Sequence, residues 1–358
     1  MQKYVALLDL DYFYAQCEEL RKPEIKGVPV VIVMPSLREN SGAVATANYP
    51  ARELKIRSGM PLSLAKKLAS KETVFINVDK EYYKDLSVKV FEIVDYFCDK
   101  VEQVSIDEAY LDLTSLLGFE KAEDTCLKIK EKIKEELSLT CSVGLSTNKF
   151  IAKLAASEKK PDGFFVVREN IEKFLEKKKI RDLVGVGPKF EKVFKSIGVS
   201  KIGDIKKHSK VELVELFGRA KGEEFYNFAF GFDDRAVEPN REKQQVSRMI
   251  TLKSDSRDSE AILEQVKLLC DLVFSDASKT HKKFKTVSLV IINSNYDTIT
   301  KSKTKMEINS LEKLIELENS LLIDFLNESI SKVRRVGVRV SNFEEEKGSQ
   351  KTLFDFKK

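Results

Sequence analysis

The sequence is poor in the side chains on which many catalytic and extracellular proteins depend. Its 358 residues include two histidines, His208 and His281, and five cysteines, none of them in a Cys-x-x-C pair. An odd set of isolated cysteines argues against a disulfide or zinc framework and indicates the reduced, buried thiols of an intracellular protein. Both histidines are expected to be surface or packing residues, so no Cys–His or Ser–His pair can be assembled around the acidic residues considered below.

Long hydrophobic runs are absent as well. The longest, Val28 to Pro35, is too short to span a bilayer, and the N-terminus leads into a short apolar strand without a signal-peptide profile. We therefore expect a cytoplasmic protein. A hydrophobic content of 42% with 33% charged residues is typical of globular chains, and the length predicts at least two domains. The net charge of +5 permits a polyanionic partner without requiring one.

The hydrophobic pattern predicts an α+β multidomain protein. Apolar strands alternate with amphipathic helices up to Gly163. From about Ile171 to Phe232 the chain is expected to be purely helical, and the polar segment from Arg235 to Gln245 is expected to be a linker. The segment from Val246 to Phe343 has a βαββαβ pattern, which predicts an independent small domain.

Two helix starts can be placed from single residues. Pro50 suits the first position of a helix and favours an extended conformation for Tyr49 before it. Further along, Ser146 or Asn148 is expected to cap the helix that follows the strand ending near Leu145.

Three acidic residues are the strongest candidates for chemistry. Asp9 ends the first apolar strand, and Asp107-Glu108 lies at or beside the reversal between two predicted strands. Carboxylates so placed suit hard cations such as Mg²⁺, which take oxygen ligands, and two such ions can support phosphoryl transfer. A solvated acidic turn is the alternative, since the chain has 57 Asp and Glu residues. Asp9 and the scarcity of histidine favour metal-assisted phosphoryl transfer over nucleophilic catalysis.

Candidate phosphate ligands follow from a predicted strand-to-helix junction. Thr46, Tyr49 and Arg52 surround this junction, where the amides of a helix N-terminus favour phosphate oxygens. Lys160 is a further candidate point charge. Taken one at a time, each of these residues is better explained as an ordinary surface residue.

Two segments suit the backbone of a nucleic acid. Gly185 and Gly187 form a tight turn before a helix that carries Lys189 and Lys192, which indicates a helix-hairpin-helix; a simple interhelical turn is the alternative. The last predicted strand carries a basic row made of Lys332, Arg334, Arg335 and Arg339. The valines of this strand alternate with the basic residues and face the opposite side of the sheet. The basic row could therefore bind the backbone of a nucleic-acid duplex, and a solvated surface is the alternative.

Four long motifs occur in order along the chain. They are Asp9-Leu10-Asp11-Tyr12-Phe13-Tyr14-Ala15, Ser41-Gly42-Ala43-Val44-Ala45-Thr46-Ala47-Asn48-Tyr49, Ser105-Ile106-Asp107-Glu108-Ala109-Tyr110-Leu111-Asp112 and Val143-Gly144-Leu145-Ser146-Thr147-Asn148-Lys149. At this spacing they resemble the motifs of the Y-family DNA polymerases, in the archaeal DNA polymerase IV (DinB-like) branch. The resemblance extends to about Phe343.

The resemblance implies a right-hand polymerase followed by a little-finger domain. The palm would comprise residues 1–11 and 77–167, the fingers 12–76, the thumb with its helix-hairpin-helix 168–234, the linker 235–245, the βαββαβ little finger 246–343 and a flexible tail 344–358. The family pattern further implies DNA-templated, distributive, low-fidelity synthesis past damaged bases by a monomer that binds primer–template DNA and a dNTP.

The resemblance also implies roles for individual residues. Asp9, Asp107 and Glu108 would bind two Mg²⁺ ions, with the carbonyl of Leu10 as a further ligand. Tyr14 matches the aromatic residue that excludes a ribose 2′-OH, whereas its neighbour Phe13 suits the core better. The residues that match the family's triphosphate contacts are Thr46, Tyr49, Arg52 and Lys160. The small residues that match the positions facing the nascent base pair are Ala43 and Gly59.

The C-terminal tail suggests a protein partner. Its Gln350-x-x-Leu353-x-x-Phe356 pattern is similar to the motif by which replication proteins bind a sliding clamp. A tail that packs on its own domain is the alternative.

Two other functions are compatible with parts of the pattern. A non-catalytic DNA-binding protein could keep the polymerase shape, but it would be expected to lose one of the three acids. A nucleotidyl cyclase could use a related palm, but it would have no use for the helical and basic C-terminal segments.

Overall fold

A computed structural model describes residues 2–36, 38, 41–239, 242–305, 308 and 310–345 of the chain. These residues form two compact units. The first unit contains residues 2–34, 44–60 and 64–239, and the second contains residues 35–43, 61–63 and the described residues from 242 onward. None of the described helices combines the length and the apolar character needed to cross a membrane.

The N-terminal part of the chain alternates strands and helices, as its hydrophobic pattern predicts. In chain order the elements up to residue 97 are β1 (Val5–Leu10), α1 (Phe13–Arg21), β2 (Val30–Pro35), β3 (Gly42–Ala47), α2 (Tyr49–Glu53), α3 (Leu62–Leu68), β4 (Val74–Asn77) and α4 (Lys80–Phe97). Then follow β5 (Val101–Gln103), β6 (Glu108–Asp112), α5 (Phe119–Leu137), β7 (Cys141–Ser146), α6 (Lys149–Ala156) and β8 (Phe164–Val166).

A five-stranded sheet organises this part of the chain, with strand order β5-β6-β1-β7-β8. Strand β1 is central and pairs antiparallel with β6 on one side and with β7 on the other. Residues 5–8 are at most 3% exposed, because both faces of the sheet are covered. On one face Leu8 packs in a core with residues of α4 and α5, and on the other Leu7 packs against Ala152 and Ala156 of α6. The uninterrupted apolar run of β1 follows from this two-sided burial.

Helix α6 lies directly against the backbone of β7. A Cβ atom at Gly144 would lie 2.1 Å from the amide nitrogen of Ala156 and 2.2 Å from the carbonyl oxygen of Ala152, so no larger residue fits there. Such close packing of a helix on a strand leaves little room for the two elements to shift against each other.

The structure corrects one predicted helix start and decides another. Helix α2 begins at Tyr49, so Tyr49 is helical and not extended, and Pro50 is the second helical residue. The start moves because Asn48 caps the helix by accepting a hydrogen bond from the amide of Ala51 at 3.1 Å. For α6 the cap is Asn148, which accepts from the amide of Ile151 at 2.9 Å.

The predicted helical segment is confirmed. It comprises α7 (Ile171–Glu176), α8 (Pro188–Ser196), α9 (Lys210–Phe217) and α10 (Arg219–Ala229), with 3-10 turns between them. Phe194, Phe217 and Phe225 pack together at its centre with ring-centroid distances of 4.4–5.3 Å. The described residues between α10 and Gln245 form no helix or strand, as expected for a linker.

The C-terminal part has the predicted βαββαβ order. Its elements are β9 (Gln245–Ser256), α11 (Ser259–Ser278), β10 (Lys282–Asn293), β11 (Thr298–Thr304), α12 (Leu311–Glu328) and β12 (Val333–Glu345). The strands form an antiparallel sheet in the order β11-β10-β12-β9. Val336, Val338 and Val340 of β12 are fully buried in one core with residues of both helices. The division of the whole chain into palm, fingers, thumb and little finger stays a prediction.

One buried acid in this part of the chain is unsatisfied. Glu318 of α12 has no exposed surface, and neither of its carboxylate oxygens has a hydrogen-bond partner among the described residues. Burial raises the pKa of Glu318 well above its ordinary value of 4.5. The folded protein therefore favours the neutral acid.

Glu318→Met should increase the stability of the protein, and the increase should grow with pH. Because the folded-state pKa is raised, the native carboxyl is best tolerated below the unfolded-state pKa, and stability is lost as pH rises toward the folded-state value. We expect a gain of about 1–3 kcal/mol in the free energy of unfolding at about pH 8 and a smaller one at about pH 5. Urea titrations at both pH values measure this gain.

The matched control is Glu316→Met on the same helix. Glu316 is exposed and pairs with Lys313 at 2.6 Å, so its replacement should change stability little at either pH. Equal effects of the two substitutions would contradict the assignment of a buried neutral acid.

Candidate active site

The pairing of β1 with β6 brings the three predicted acids together. Asp9 lies directly opposite Glu108 in the register of the two strands. Asp107 precedes Glu108 in the turn, where its carbonyl oxygen accepts a hydrogen bond from the amide of Leu10 at 2.8 Å. The hydroxyl of Ser105 donates to Oδ1 of Asp107 at 2.6 Å. The side chain of Leu10 is buried, so only its backbone carbonyl can contribute to a cation site.

Two lysines neutralise two of these acids. Nζ of Lys160 lies 2.5 Å from Oδ1 of Asp9, and Lys153 forms an ion pair with Glu108. Lys160 was predicted as a triphosphate ligand, whereas Lys153 was missed. One feature of the sequence could have identified Lys153: it lies one helical turn after Lys149 on a helix whose other residues are apolar. Asp9 and Glu108 thus face protein cations in this structure.

The acids of this set affect one another electrostatically. Burial raises the pKa of Asp9, Lys160 acts in the opposite direction, and the carboxylates of Glu108 and Asp107 raise the pKa further. A cation bound among the three carboxylates would reduce the repulsion between their negative charges. Carboxylate oxygens are also the ligands that Mg²⁺ prefers. The residues present therefore fit the implied metal. In the described part of the chain no three His, Cys, Asp or Glu side chains converge as a ready-made ligand set, and lysines are paired with two of the three acids.

Helix α6 connects Glu108 to the segment that leaves the helical region. Its Lys149 forms a buried ion pair with Glu102 and donates to the carbonyl oxygen of Ala236 at 3.0 Å. The amide of Phe150 donates to Asp233 at 3.0 Å. The same rigid helix therefore positions Lys153 and fixes this segment of the chain.

The two aromatic candidates differ in exposure. Phe13 is 2% exposed and belongs to the core, as predicted for that residue. Tyr14 is half-buried, and its ring stacks on that of Tyr83 at 4.6 Å. Burial raises the pKa of Tyr14, and the nearby carboxylate of Asp107 acts in the same direction. Of these two candidates, Tyr14 is therefore the one whose pKa is affected by an acid of the candidate site.

The predicted triphosphate ligands lie at the end of β3 and in α2. The guanidinium of Arg52 lies 4.9 Å from the ring centroid of Tyr49 and donates through Nε to the carbonyl oxygen of Ala47 at 2.8 Å. Burial raises the pKa of Tyr49, the carboxylates of Asp11 and Asp9 raise it further, and the guanidinium of Arg52 acts in the opposite direction. Thr46 lies on β3, three residues before Tyr49.

The two small residues assigned to the nascent base pair belong to different units. Gly59 donates from its amide to the carbonyl oxygen of Val44 at 2.8 Å within the first unit. Ala43 pairs with Pro61 in an isolated β-bridge within the second unit. Their joint role therefore stays a prediction.

The glycine turn precedes α8 as its sequence predicts, and its role in binding a nucleic-acid backbone stays a prediction. Gly185 has a φ of +88°, which disfavours other residues, and Gly187 immediately precedes α8. Lys189 and Lys192 are exposed on that helix.

The basic row on β12 is partly engaged within its own unit. The predicted alternation is confirmed, since Arg335 and Arg339 face away from the core valines. Nε of Arg335 is buried without a hydrogen-bond partner in the described structure. Arg334 instead lies 3.6 Å from Asp255 and stacks on Tyr296 at 4.8 Å, and Lys332 precedes the strand and is exposed. The tail residues Gln350, Leu353 and Phe356 lie outside the residues that the structure describes.

Two family models match the sequence. The model of the impB/mucB/samB family matches residues 8–157, and the model of the C-terminal domain of that family matches residues 243–353. The chain is similar to the DNA polymerase IV of Methanosarcina acetivorans, at 41% identity over 99% of this chain and 100% of the relative. It is also 41% identical to the DNA polymerase IV of Nitrosopumilus maritimus, over 96% of each chain.

Solved structures show the same relationship. The Y-family DNA polymerase chimera Dbh-Dpo4(243-245)-Dbh aligns with a TM-score of 0.89 and 31% identity, covering 96% of this chain and 100% of that chain. The insertion ternary complex of Dbh DNA polymerase aligns with a TM-score of 0.69 and 32% identity over the same shares. The α+β fold, with its C-terminal sheet domain, is thus that of these polymerases. The chain belongs to the Y family of DNA polymerases, in the archaeal DNA polymerase IV (DinB-like) branch, and is a DNA-directed DNA polymerase.

Proposed function

We propose that this polymerase extends a primer by two-metal phosphoryl transfer at Asp9, Asp107 and Glu108. The observation that supports the proposal most directly is the meeting of these acids at the β1–β6 pairing, with Lys160 and Lys153 beside them. Two Mg²⁺ ions held by the three carboxylates and the carbonyl of Leu10 would supply Lewis acidity and neutralise the charge of the leaving pyrophosphate.

The chain's own residues bind and orient the substrate in this proposal. Lys160 leaves Asp9 for the triphosphate, and Arg52, Tyr49 and Thr46 contact the phosphate oxygens. Tyr14 lies under the sugar and excludes a 2′-OH. These contacts hold the α-phosphate in line with the primer 3′-OH, and such positioning accounts for much of the acceleration in reactions of this type.

The proposed DNA contacts are mainly to the backbone. The structure of the similar Dbh polymerase is described as an insertion ternary complex, and by analogy this chain would bind primer–template DNA and a dNTP. The Gly185–Gly187 turn with Lys189 would bind phosphates without reading sequence. Lys332, Arg334, Arg335 and Arg339 would add a second basic contact, with Arg334 released from Asp255. Ala43 and Gly59 would leave room for damaged bases, which suits low-fidelity, distributive synthesis during translesion replication.

The C-terminal tail would recruit a sliding clamp. Gln350, Leu353 and Phe356 occupy the first, fourth and seventh positions of a short motif, and a helical turn formed on the clamp would bring the two apolar anchors together. The polymerase itself would act as a monomer, with the clamp supplying the processivity that a distributive enzyme lacks.

Removal of one metal acid should abolish synthesis but not DNA binding. Glu108→Ala and Asp107→Ala should each lower the rate of primer extension on the order of 10³-fold or more, because charge stabilisation at the reacting phosphate is lost. Duplex affinity, measured by fluorescence anisotropy, should stay nearly unchanged. The control is Asp112→Asn, at the far end of the same strand. Normal extension by Glu108→Ala would refute the assignment.

Removal of the aromatic ring at position 14 should relax sugar selection. Tyr14→Ala should incorporate ribonucleotides, because nothing would then occupy the space beside the 2′-OH. Tyr14→Phe keeps the ring and should keep the selectivity. Single-nucleotide incorporation with dNTP and rNTP measures the ratio, and the same ratio in the wild type and Tyr14→Ala would overturn the gate role.

Deletion of residues 350–358 should separate recruitment from catalysis. The truncated chain should extend a primer at the wild-type rate in the absence of a clamp, but should lose both clamp binding and clamp stimulation. Leu353→Ala with Phe356→Ala should reproduce the loss, and Lys357→Ala should not. Clamp affinity that is equal with and without the tail would exclude this partner site.

A further inference from the structure

A fully buried carboxylate fixes the turn that carries Lys160. Asp11 has no exposed surface, so it is not available to a cation or a substrate. Its Oδ1 accepts from the hydroxyl of Ser142 at 2.7 Å, and its Oδ2 accepts from the hydroxyl of Thr140 at 3.0 Å. The third donor is the backbone amide of Asp162, at 2.8 Å from Oδ2. Asp11 therefore ties the end of β1 to β7 and to the turn at residues 160–163.

The turn is held from its other sides as well. The side chain of Asp162 pairs with Lys130 at 2.9 Å and with Lys134 at 2.8 Å, and Asp162 has a φ of +50°. The amide of Gly163 donates to the hydroxyl of Ser142 at 3.3 Å. A Cβ atom at Gly163 would lie 2.0 Å from the carbonyl oxygen of Lys159, so the turn closes tightly on itself. Its conformation is thus determined by partners outside the active site.

Within the turn at residues 160–163, Lys160 is the residue that contacts the proposed metal-binding acids, through Asp9. The bonds to Asp11 and Ser142 begin two residues after Lys160, whose side chain extends to Asp9. A charged acceptor makes stronger hydrogen bonds than a neutral one, and more so when it is buried. Asp11 and its hydrogen-bond donors therefore fix the position of the backbone near Lys160. The flexible side chain of Lys160 extends from that backbone position to its ligand.

We propose that Asp11 is a positioning residue for nucleotide binding, which acts by fixing the turn from which Lys160 reaches the triphosphate. The proposal rests on the proposed function of Lys160. Loss of the Asp11 carboxylate removes one of the bonds that hold the turn, so the backbone at Lys160 is less well fixed and Lys160 binds the triphosphate less well. The acids themselves are not displaced, because the β1–β6 pairing holds Asp9 and Glu108 independently of Asp11.

Replacement of Asp11 should change nucleotide affinity more than turnover. Asp11→Ala should raise KM for the dNTP about 10-fold, with a smaller change in kcat. Asp11→Asn should stay close to the wild type, since its amide oxygen can accept from Asp162 and its amino group can face Ser142, whose hydroxyl can turn to accept. Binding of a dNTP to the enzyme on a dideoxy-terminated primer gives the same comparison without turnover.

A double-mutant cycle separates positioning from general stability. In a Lys160→Met background, Asp11→Ala should raise KM by less than about 2-fold, because the residue through which it acts is gone. An equal factor in both backgrounds would show that Asp11 acts independently of Lys160 and would overturn the proposal. If Lys160→Met leaves KM unchanged, the proposed role of Asp11 also fails, because Lys160 then does not bind the triphosphate. The proposed polymerase mechanism is tested independently of this result by primer extension with the wild type.

Two milder variants keep the test valid if Asp11→Ala does not fold. Ser142→Ala removes a donor to Asp11 and the acceptor of the Gly163 amide, so it should raise KM about 3-fold. Thr140→Val removes a bond to the same carboxylate without touching the turn, so it should not raise KM. Equal KM values for these two variants would contradict a role of the turn.

Discussion

The antiparallel pairing of β1 on both of its edges is the constraint on which the rest of the active site depends. Pairing with β6 sets Asp9 opposite Glu108, and pairing with β7 places Asp11 among Thr140 and Ser142. In a strand, successive residues face opposite sides, so a slip of one residue would place a leucine, Leu8 or Leu10, opposite Glu108 in place of Asp9. Because both faces of β1 are packed, such a slip would also move each of its apolar side chains from one packed face to the other and disrupt both sets of contacts. The hydrophobic core and the catalytic geometry are therefore fixed by the same register.

The sequence predicted the elements better than it predicted their partners. Strong apolar runs and helical periodicity identified β1, the helical region and the βαββαβ domain, because each pattern is local. The start of α2 was misplaced because Pro50 is compatible with more than one early helical position, and the cap at Asn48 decided between them. Such errors concern the ends of elements, where local preferences are weakest.

The contacts within the site were less accessible from sequence. Asp9, Asp107 and Glu108 could be selected by residue type and strand position, whereas Lys153 looks like any lysine on an amphipathic helix until the packing of α6 is known. The partners of Asp11 lie more than a hundred residues away in the chain, from Thr140 to Asp162. Hydrogen bonds of that range have no local signature, so the role of a buried carboxylate can be found only in the folded structure.

The ion pairs of Lys160 and Lys153 have a consequence for the energetics of ligand binding. A cation that binds the three carboxylates competes with these two ammonium groups for their negative charge, and a polyphosphate that attracts Lys160 reduces this competition at Asp9. Thermodynamic linkage then requires reciprocity: whatever a nucleotide adds to the affinity for cations, cations add equally to the affinity for the nucleotide. An affinity measured for either ligand alone therefore describes a different state of the site from the one that exists when both are present.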